Sequence, residues 1–308
     1  MKRVLLLIVL NIVVAVSVVG QTRTEERARR RWWVSAALAT VFDTNITHDE
    51  RAVSAFGVVP SLGLHFRDNP ERPSIEIDYE IGMHRYTNTD EFNRVSHTLD
   101  AVYRKQFMKR LYFRSTTEIS LKGSSEDREV NNNYIFEQQL QYRFTSNTRV
   151  AALAAYRVKR YPLIDRDSNA IDSYVGGKIE QRFRGERRLI AGYRYDHNRA
   201  WLARNNYIRR TYSLEFETPL SLRRRDSLSA EFRYSPRYYQ NRTTRVDGIR
   251  VPRHDDRWVF DVIYVRQLRP DLSMAFEYEF EKRNSNDIDK LFTSNAFGLR
   301  FLFNKFVF

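Results

Sequence analysis

The chain contains no cysteine and little glycine or proline: 11 Gly and 8 Pro among 308 residues. The absence of cysteine excludes a disulfide framework, a thiolate metal site, a cysteine nucleophile and lipid attachment at an N-terminal cysteine. The scarcity of glycine and proline excludes collagen-like and low-complexity classes. No metal-ligand spacing such as His-Glu-x-x-His occurs, so we expect neither a metal nor another cofactor.

Apolar character is also low, with a mean hydropathy of −0.59, which excludes a helical membrane protein. Aromatic residues nevertheless make up 14% of the chain and charged residues 29%. Such a combination is typical of a transmembrane β-barrel, because half of each strand faces lipid and half faces a polar interior.

The one long apolar stretch lies at the N-terminus, in residues 1–20, and has the features of a secretory signal peptide. A positively charged start precedes it, and Val18 and Gly20 are small enough for the −3 and −1 sites of signal peptidase. An uncleaved membrane anchor is the alternative, although the stretch is short for a span of about 20 residues. Residues 21–31 are predicted to form a basic periplasmic arm, which leaves 32–308 for the barrel.

From Trp32 onward apolar residues recur with a period of two, which indicates strands. The predicted strands are 32–43, 54–67, 73–86, 94–107, 110–122, 133–145, 148–160, 170–183, 187–197, 207–219, 226–239, 255–268, 271–283 and 293–308. Most exceed the roughly nine residues that a tilted membrane strand needs. We therefore predict an all-β fold, a transmembrane antiparallel up-and-down β-barrel of about 14 strands, with 12 or 16 as alternatives.

The predicted connections alternate between long polar segments and mostly short turns, which is the topology of outer-membrane barrels. If Trp32 begins in the periplasm, every long segment lies outside the cell and both termini are periplasmic. The chain is thus expected in the outer membrane of a Gram-negative bacterium. The longest connection, 240–254, is predicted to constrict the interior.

The last eight residues, Phe-Leu-Phe-Asn-Lys-Phe-Val-Phe, resemble the C-terminal signal that the barrel-assembly machinery recognises. Phe306 and Phe308 fit that signal, and an ordinary hydrophobic last strand is the alternative. Asn304 does not fit, and the phenylalanines before it follow the opposite phase, so a bulge is predicted near Asn304.

Once the lipid-facing rows set the phase of each strand, the charged residues between them are assigned to the interior. The predicted lumen-lining residues are Glu76, Asp78, Glu80, Arg104, Arg114, Glu118, Arg143, Arg182, Arg194, Arg209, Arg233, Arg257, Glu277, Glu279, Glu281 and Arg300. Acidic and basic interior residues nearly balance, so the net charge of +14 belongs to the N-terminal arm and the short turns. We therefore expect no nucleic-acid partner. The interior charges either form cross-strand Arg–carboxylate pairs or line a pathway for a polar solute.

At the end of the first predicted strand stands Phe42-Asp43-Thr44-Asn45-Ile46. It resembles the "Tyr/Phe-Asp-Ser/Thr-Asn-Val/Ile" element near the first hairpin of several outer-membrane β-barrel porin families. Some of their relatives lie in exopolysaccharide or surface-protein export systems. The resemblance implies a porin-like barrel. Read by themselves, Asp43 and Asn45 predict Asx turns that leave the sheet.

These features favour a porin-like channel or translocation pore for a polar solute or polymer. The alternative is a structural or surface-recognition barrel with a plugged, charge-paired lumen, and a barrel hydrolase is a third possibility. No enzyme is expected, because Ser96 and His97 are neighbours on one strand and point to opposite faces. His84 is assigned to the lumen, and His254 lies at a loop end. Expected partners are outer-membrane lipids, lipopolysaccharide, the barrel-assembly machinery, and a polar solute or polysaccharide; the oligomeric state is left open.

Overall fold

The fold is an antiparallel β-barrel whose fourteenth strand closes on its first. A computed structural model describes residues 31–49, 52–69, 74–88, 90–122, 131–161, 168–220 and 226–306. Their strands are β1 (Arg31–Asp43), β2 (Ala55–Arg67), β3 (Ile75–Tyr86), β4 (Arg94–Met108), β5 (Leu111–Leu121), β6 (Asn132–Arg143), β7 (Thr148–Arg160), β8 (Ala170–Arg182), β9 (Arg188–Ala200), β10 (Tyr207–Pro219), β11 (Asp226–Val246), β12 (Ile249–Arg269), β13 (Leu272–Ser285) and β14 (Phe292–Phe306). Short 3-10 turns occupy Asp90–Phe92, Arg184–Glu186, Ala203–Asn205 and Ile288–Lys290. The predicted fold class is confirmed.

Each strand pairs with its chain neighbours, and β1 pairs with β14. The seam between these two strands runs from Trp33 opposite Phe306 to Asp43 opposite Ala296 without a register shift. The bulge predicted near Asn304 is therefore wrong. Apolar residues on both faces near the end of the strand suggest a change of phase, but the exposed phenylalanines Phe297, Phe301 and Phe303 share one phase.

The segment 240–254 is not a loop in the interior, and its prediction as the constriction is wrong. Strands β11 and β12 continue through it and meet at Asp247 and Gly248, whose φ angles are 50° and 83°. Positive φ at both central residues defines the two-residue hairpin turn that Asp-Gly favours, because its twist matches that of the strands. The hairpin extends beyond β10 and β13 and is largely exposed.

The outer face of the barrel is an apolar belt. Residues paired across two strands share a face, and Phe232, Phe260 and Phe280 form one such row over β11, β12 and β13. Near the loop end the ring centroids of Tyr234 and Trp258 lie 4.1 Å apart, in a group of aromatic contacts like the girdles of membrane barrels. Within the described ranges, no helix is both long and apolar enough to span a membrane.

Three predicted features fall wholly or partly on residues that the structure does not describe. The signal peptide, 1–20, lies outside the described residues, and so does the arm, 21–31, apart from Arg31, which begins β1. Phe308 also lies outside, whereas Phe306 ends β14 opposite Trp33.

Candidate functional site

The barrel interior is the candidate site. Its face is identified by contacts between strands that are not neighbours: Lys159 Nζ of β7 donates to Tyr207 Oη of β10 at 2.9 Å, and Tyr174 of β8 donates to Glu137 of β6. Only side chains inside a closed barrel can meet in this way. Following the register from these residues around the sheet places all sixteen predicted lumen residues on the inner face.

Buried ion pairs line the inner wall near the end that carries the long connections, each between two neighbouring strands or within one strand; we call them the loop-end layer. Its pairs are Arg157–Asp172 at 2.5 Å, Lys159–Asp172 at 3.0 Å, Arg209–Asp196 at 3.4 Å, Arg257–Glu281 at 2.6 Å and Arg253–Asp255 at 2.7 Å. Asp172 and Asp196 are fully buried. Removing one partner of such a pair leaves an uncompensated buried charge, which costs about 3–5 kcal/mol. The layer therefore depends on each of its members.

More exposed ion pairs lie toward the end with the short turns. Glu76 is held by Arg67 at 3.0 Å and by Arg104 at 2.7 Å. Arg300 binds Glu277 at 2.8 Å, and Arg188 binds Glu217. Solvent-exposed pairs of this kind contribute about 0–1 kcal/mol each. These exposed pairs give the charged groups of the inner face opposite charges to bind. They hold those side chains in place less firmly than the buried pairs of the loop-end layer do.

The first connection lies against the loop ends of β13 and β14. Asp43 Oδ1 accepts a hydrogen bond from the Asn45 backbone N–H at 2.9 Å, which is the predicted Asx turn. The turn directs the chain across β13 and β14, where the His48 ring lies 4.8 Å from that of Phe292 and 3.8 Å from the Glu281 carboxylate. The described part of this first connection, which we call loop 1 (44–54), therefore lies against β13 and β14 at the end of the barrel that carries the long connections.

Within the described part of the chain, two neighbouring cavities lie between the walls, one lined mainly by carboxylates and the other mainly by cations. One, of about 430 Å³, is lined by five carboxylates, those of Glu215, Glu231, Asp261, Glu277 and Glu279. The other, of about 270 Å³, is lined by the cations Lys178, Arg194, Arg209, Arg233 and Arg257, with Glu137, Glu215 and Glu231. Because Glu215 and Glu231 line both cavities, the two spaces adjoin.

The wall formed by β1 and β2 has small inner side chains. Above the turn-end residues, the inner positions are Ser35, Ala37, Ala39 and Val41 on β1 and Gly57, Val59, Ser61 and Gly63 on β2. Charged side chains on the opposite strands therefore face a part of the inner wall that consists of small side chains.

The histidines that the sequence singled out divide between the two faces. His97 points outward, where Tyr79 Oη lies 2.8 Å from its Nδ1, while Ser96 points inward and lies 3.0 Å from His84 Nε2. The opposite orientation of Ser96 and His97 is as predicted. His254 stacks on Tyr238 on the outer face. Among the described residues, no group of three or more His, Asp or Glu side chains could hold a metal ion.

Neither the protein-family models nor the curated proteins contain a match to this chain. Solved structures do match. A loop L8 deletion mutant of OmpT, an outer membrane protein of Vibrio cholerae, has a TM-score of 0.51 at 9% identity over 90% of this chain and 100% of that one. An anion-selective porin from Comamonas acidovorans has a TM-score of 0.49 at 8% identity over 90% and 99%. Pseudomonas aeruginosa OpdK, solved with vanillate, has a TM-score of 0.45 at 10% identity over 90% and 99%.

The first of these similarities bears on the fold. This chain has the fold of an outer-membrane β-barrel. Its apolar belt is therefore the surface that meets membrane lipid.

Proposed function

We propose that this chain is a porin-like channel of a Gram-negative outer membrane that passes small polar solutes. The observation that carries the proposal is the pair of adjoining cavities, about 430 and 270 Å³ in volume, inside a closed barrel with a polar inner face. Barrels of 16–18 strands leave an aqueous channel, whereas eight-stranded ones are filled by side chains. Fourteen strands lie between these limits.

The arrangement of charge supports a polar solute that carries both signs. Such a molecule can turn its cationic group toward the acidic cavity and its anionic group toward the basic one. We expect the loop-end layer and loop 1 to narrow the mouth, which favours a small solute over a polymer. The apolar belt provides no comparable polar surface on the outside of the barrel.

The orientation and partners are part of the same proposal. Long connections face the cell exterior, beside lipopolysaccharide, and the termini face the periplasm. Basic short turns such as Lys109–Arg110 support this assignment because they lie on the side opposite the long connections. Phe306 and Phe308 would present the signal for the barrel-assembly machinery. Membership of the porin families that carry an element like Phe42–Ile46 stays a prediction.

One observation favours a second function, that of a structural or surface-recognition barrel with a closed lumen. The loop-end layer covers part of the inner wall with buried Arg–carboxylate pairs. If such side chains fill the whole cross-section, no solute passes, and the loop-side surface becomes the functional one.

Planar-bilayer recording distinguishes the two functions. The full chain, folded in detergent and checked by heat-modifiable migration, is added to a bilayer in potassium chloride. Stepwise conductance with a reversal potential that shifts in Glu277→Gln/Glu279→Gln supports the channel. Glu186→Gln, in an exposed turn, is the matched control and leaves the reversal potential unchanged. A folded barrel that never conducts, at any voltage, refutes the channel and supports the closed lumen.

A further inference from the structure

Three polar side chains form a hydrogen-bonded chain on the inner wall near the end with the short turns. Ser35 Oγ lies 2.8 Å from His65 Nε2, and His65 Nδ1 lies 2.7 Å from Asp78 Oδ1. These residues come from the three consecutive strands β1, β2 and β3. We propose that Ser35, His65 and Asp78 are a nucleophile, a general base and the residue that positions the base, and that they hydrolyse carboxylic esters inside the barrel.

The partners of the imidazole decide its tautomer. An ionised carboxylate can only accept hydrogen bonds, so Asp78 requires the proton of His65 to be on Nδ1. Nε2 is then an unprotonated acceptor, and the Ser35 hydroxyl donates to it. This is the arrangement in which a serine is activated by an adjacent base that a third group orients.

The surrounding residues hold this geometry. The Trp33 ring stacks on the His65 ring, with centroids 4.8 Å apart and planes 10° apart. Gly63 supplies the space for the contact, since a Cβ there would lie 2.4 Å from Ser35 Oγ and 2.6 Å from His65 Nε2. Any other residue at position 63 would therefore push the serine and the histidine apart.

The serine is also accessible, because Ser35 is half-buried rather than enclosed. Beside it the inner wall consists of Ala37, Ala39 and Ser61, which offers a small apolar surface for an acyl group. Asn304 is the register partner of Ser35 on β14. Its side chain stands on the same face, and its amide can donate a hydrogen bond to an oxyanion.

The reaction needs only water as a second substrate. Ser35 Oγ attacks the ester carbonyl carbon as its proton passes to His65 Nε2, the carbon–oxygen bond to the alcohol breaks, and Nε2 returns that proton to the departing oxygen. Water then attacks the acyl-serine, giving one proton to Nε2. Collapse releases the carboxylic acid and restores the Ser35 hydroxyl with that proton.

The barrel contains its own control. Ser96 Oγ lies 3.0 Å from His84 Nε2 on the same inner face, yet within the described residues His84 Nδ1 is buried without a hydrogen-bond partner. This second serine–histidine pair lacks the carboxylate that would fix the tautomer. The proposal therefore predicts different reactivity for two serine–histidine pairs, one with a carboxylate beside its histidine and one without.

The test is covalent labelling of the full chain, folded in detergent, with a fluorophosphonate probe, followed by peptide mass spectrometry. We expect the wild-type chain to be labelled at Ser35. Ser35→Ala should not be labelled, and Ser96→Ala should be labelled to the same extent as wild type. His65→Gln should abolish labelling at Ser35 because it removes the general base, and Asp78→Asn should slow labelling about 10⁴-fold because it changes the tautomer of His65. Hydrolysis of p-nitrophenyl butyrate should follow the same order.

Equal labelling of wild type and Ser35→Ala, or a wild type that does not react above the level of a heat-denatured sample, overturns the proposal. Heat-modifiable migration shows whether each variant is folded. Bilayer conductance should be the same in Ser35→Ala and wild type. An absence of conductance would thus contradict the channel and not the triad, and an absence of labelling would contradict the triad and not the channel.

Discussion

Asp43 and Ser294 join the first and last strands of the barrel: Ser294 Oγ donates to Asp43 Oδ1 at 2.5 Å, and both residues are about 1% exposed. The same oxygen accepts the Asn45 backbone N–H. One carboxylate therefore links β1 to β14 at their seam and starts the turn that brings loop 1 against β13 and β14.

Asp43→Ala should destabilise the barrel by about 1–3 kcal/mol, because it leaves a buried hydroxyl and a buried backbone N–H without an acceptor. The free energy of unfolding, measured in urea with tryptophan fluorescence, checks this. Asp289→Ala, at an exposed position, is the control and should change stability by less than about 0.5 kcal/mol. Equal effects of the two substitutions would contradict a role for Asp43 in the seam.

Asp172→Ala should destabilise the barrel more, by about 3–5 kcal/mol, since it leaves the buried cations of Arg157 and Lys159 without this carboxylate. The matched exposed pair is Arg269–Asp271, whose groups are 3.6 Å apart. Arg269→Ala should cost at most about 1 kcal/mol. The same urea titration measures both, and a small loss in Asp172→Ala would mean that water reaches the loop-end layer.

Asp255, opposite Ser285 of β13 at the base of the hairpin, should give this end of the barrel a pH-dependent stability. It lies beyond the apolar belt, which on β12 begins at Trp258. Burial opposes its ionisation, but hydrogen bonds from Arg253 outweigh burial and hold the pKa of Asp255 below the usual 3.8. A carboxyl with a lowered folded-state pKa stabilises the fold above its unfolded pKa, and that stability is lost as the pH falls through the folded value.

The difference in unfolding free energy between wild type and Asp255→Asn should therefore be constant from neutral pH down to about 4.5. It should shrink only at lower pH. A difference that already falls between pH 7 and pH 5 would show that the pKa of Asp255 is raised instead.

Loop 1 and the hairpin should differ in their effect on conductance. Replacing 46–52 with two glycines should raise single-channel conductance, because His48 would no longer lie against Glu281 and Phe292 at the mouth. Removing the paired residues 243–246 and 249–252 should leave conductance unchanged, since the hairpin is exposed. The opposite ranking would place the constriction in the hairpin.

Strand positions could be predicted because the period-two pattern is local. The predicted 148–160 and 207–219 coincide with β7 and β10, as both segments alternate cleanly between polar connections. Asp247–Gly248 also matches the sequence signal of a two-residue hairpin turn, but the many polar residues around it favour a loop. Here a local turn preference outweighed the average polarity of the segment.

Contacts between side chains could not be predicted in this way. Ser35, His65 and Asp78 meet only because β1, β2 and β3 adopt one particular register, which depends on connections of uncertain length. A shift of one residue would turn the histidine toward lipid. Asp78 was assigned to the correct face from the pattern, yet nothing in that pattern joins it to a serine 43 positions earlier.

The unbroken seam has a consequence for how the chain is made. The residues of β1 are synthesised first and those of β14 last, so β1 keeps an unpaired edge until almost all of the chain exists. An exposed edge is a template for pairing with other chains. A product that stops before Phe292 would carry two such edges for its whole lifetime, and aggregation would compete with membrane insertion. Whether a newly made chain closes into a barrel or aggregates therefore depends on its final strand.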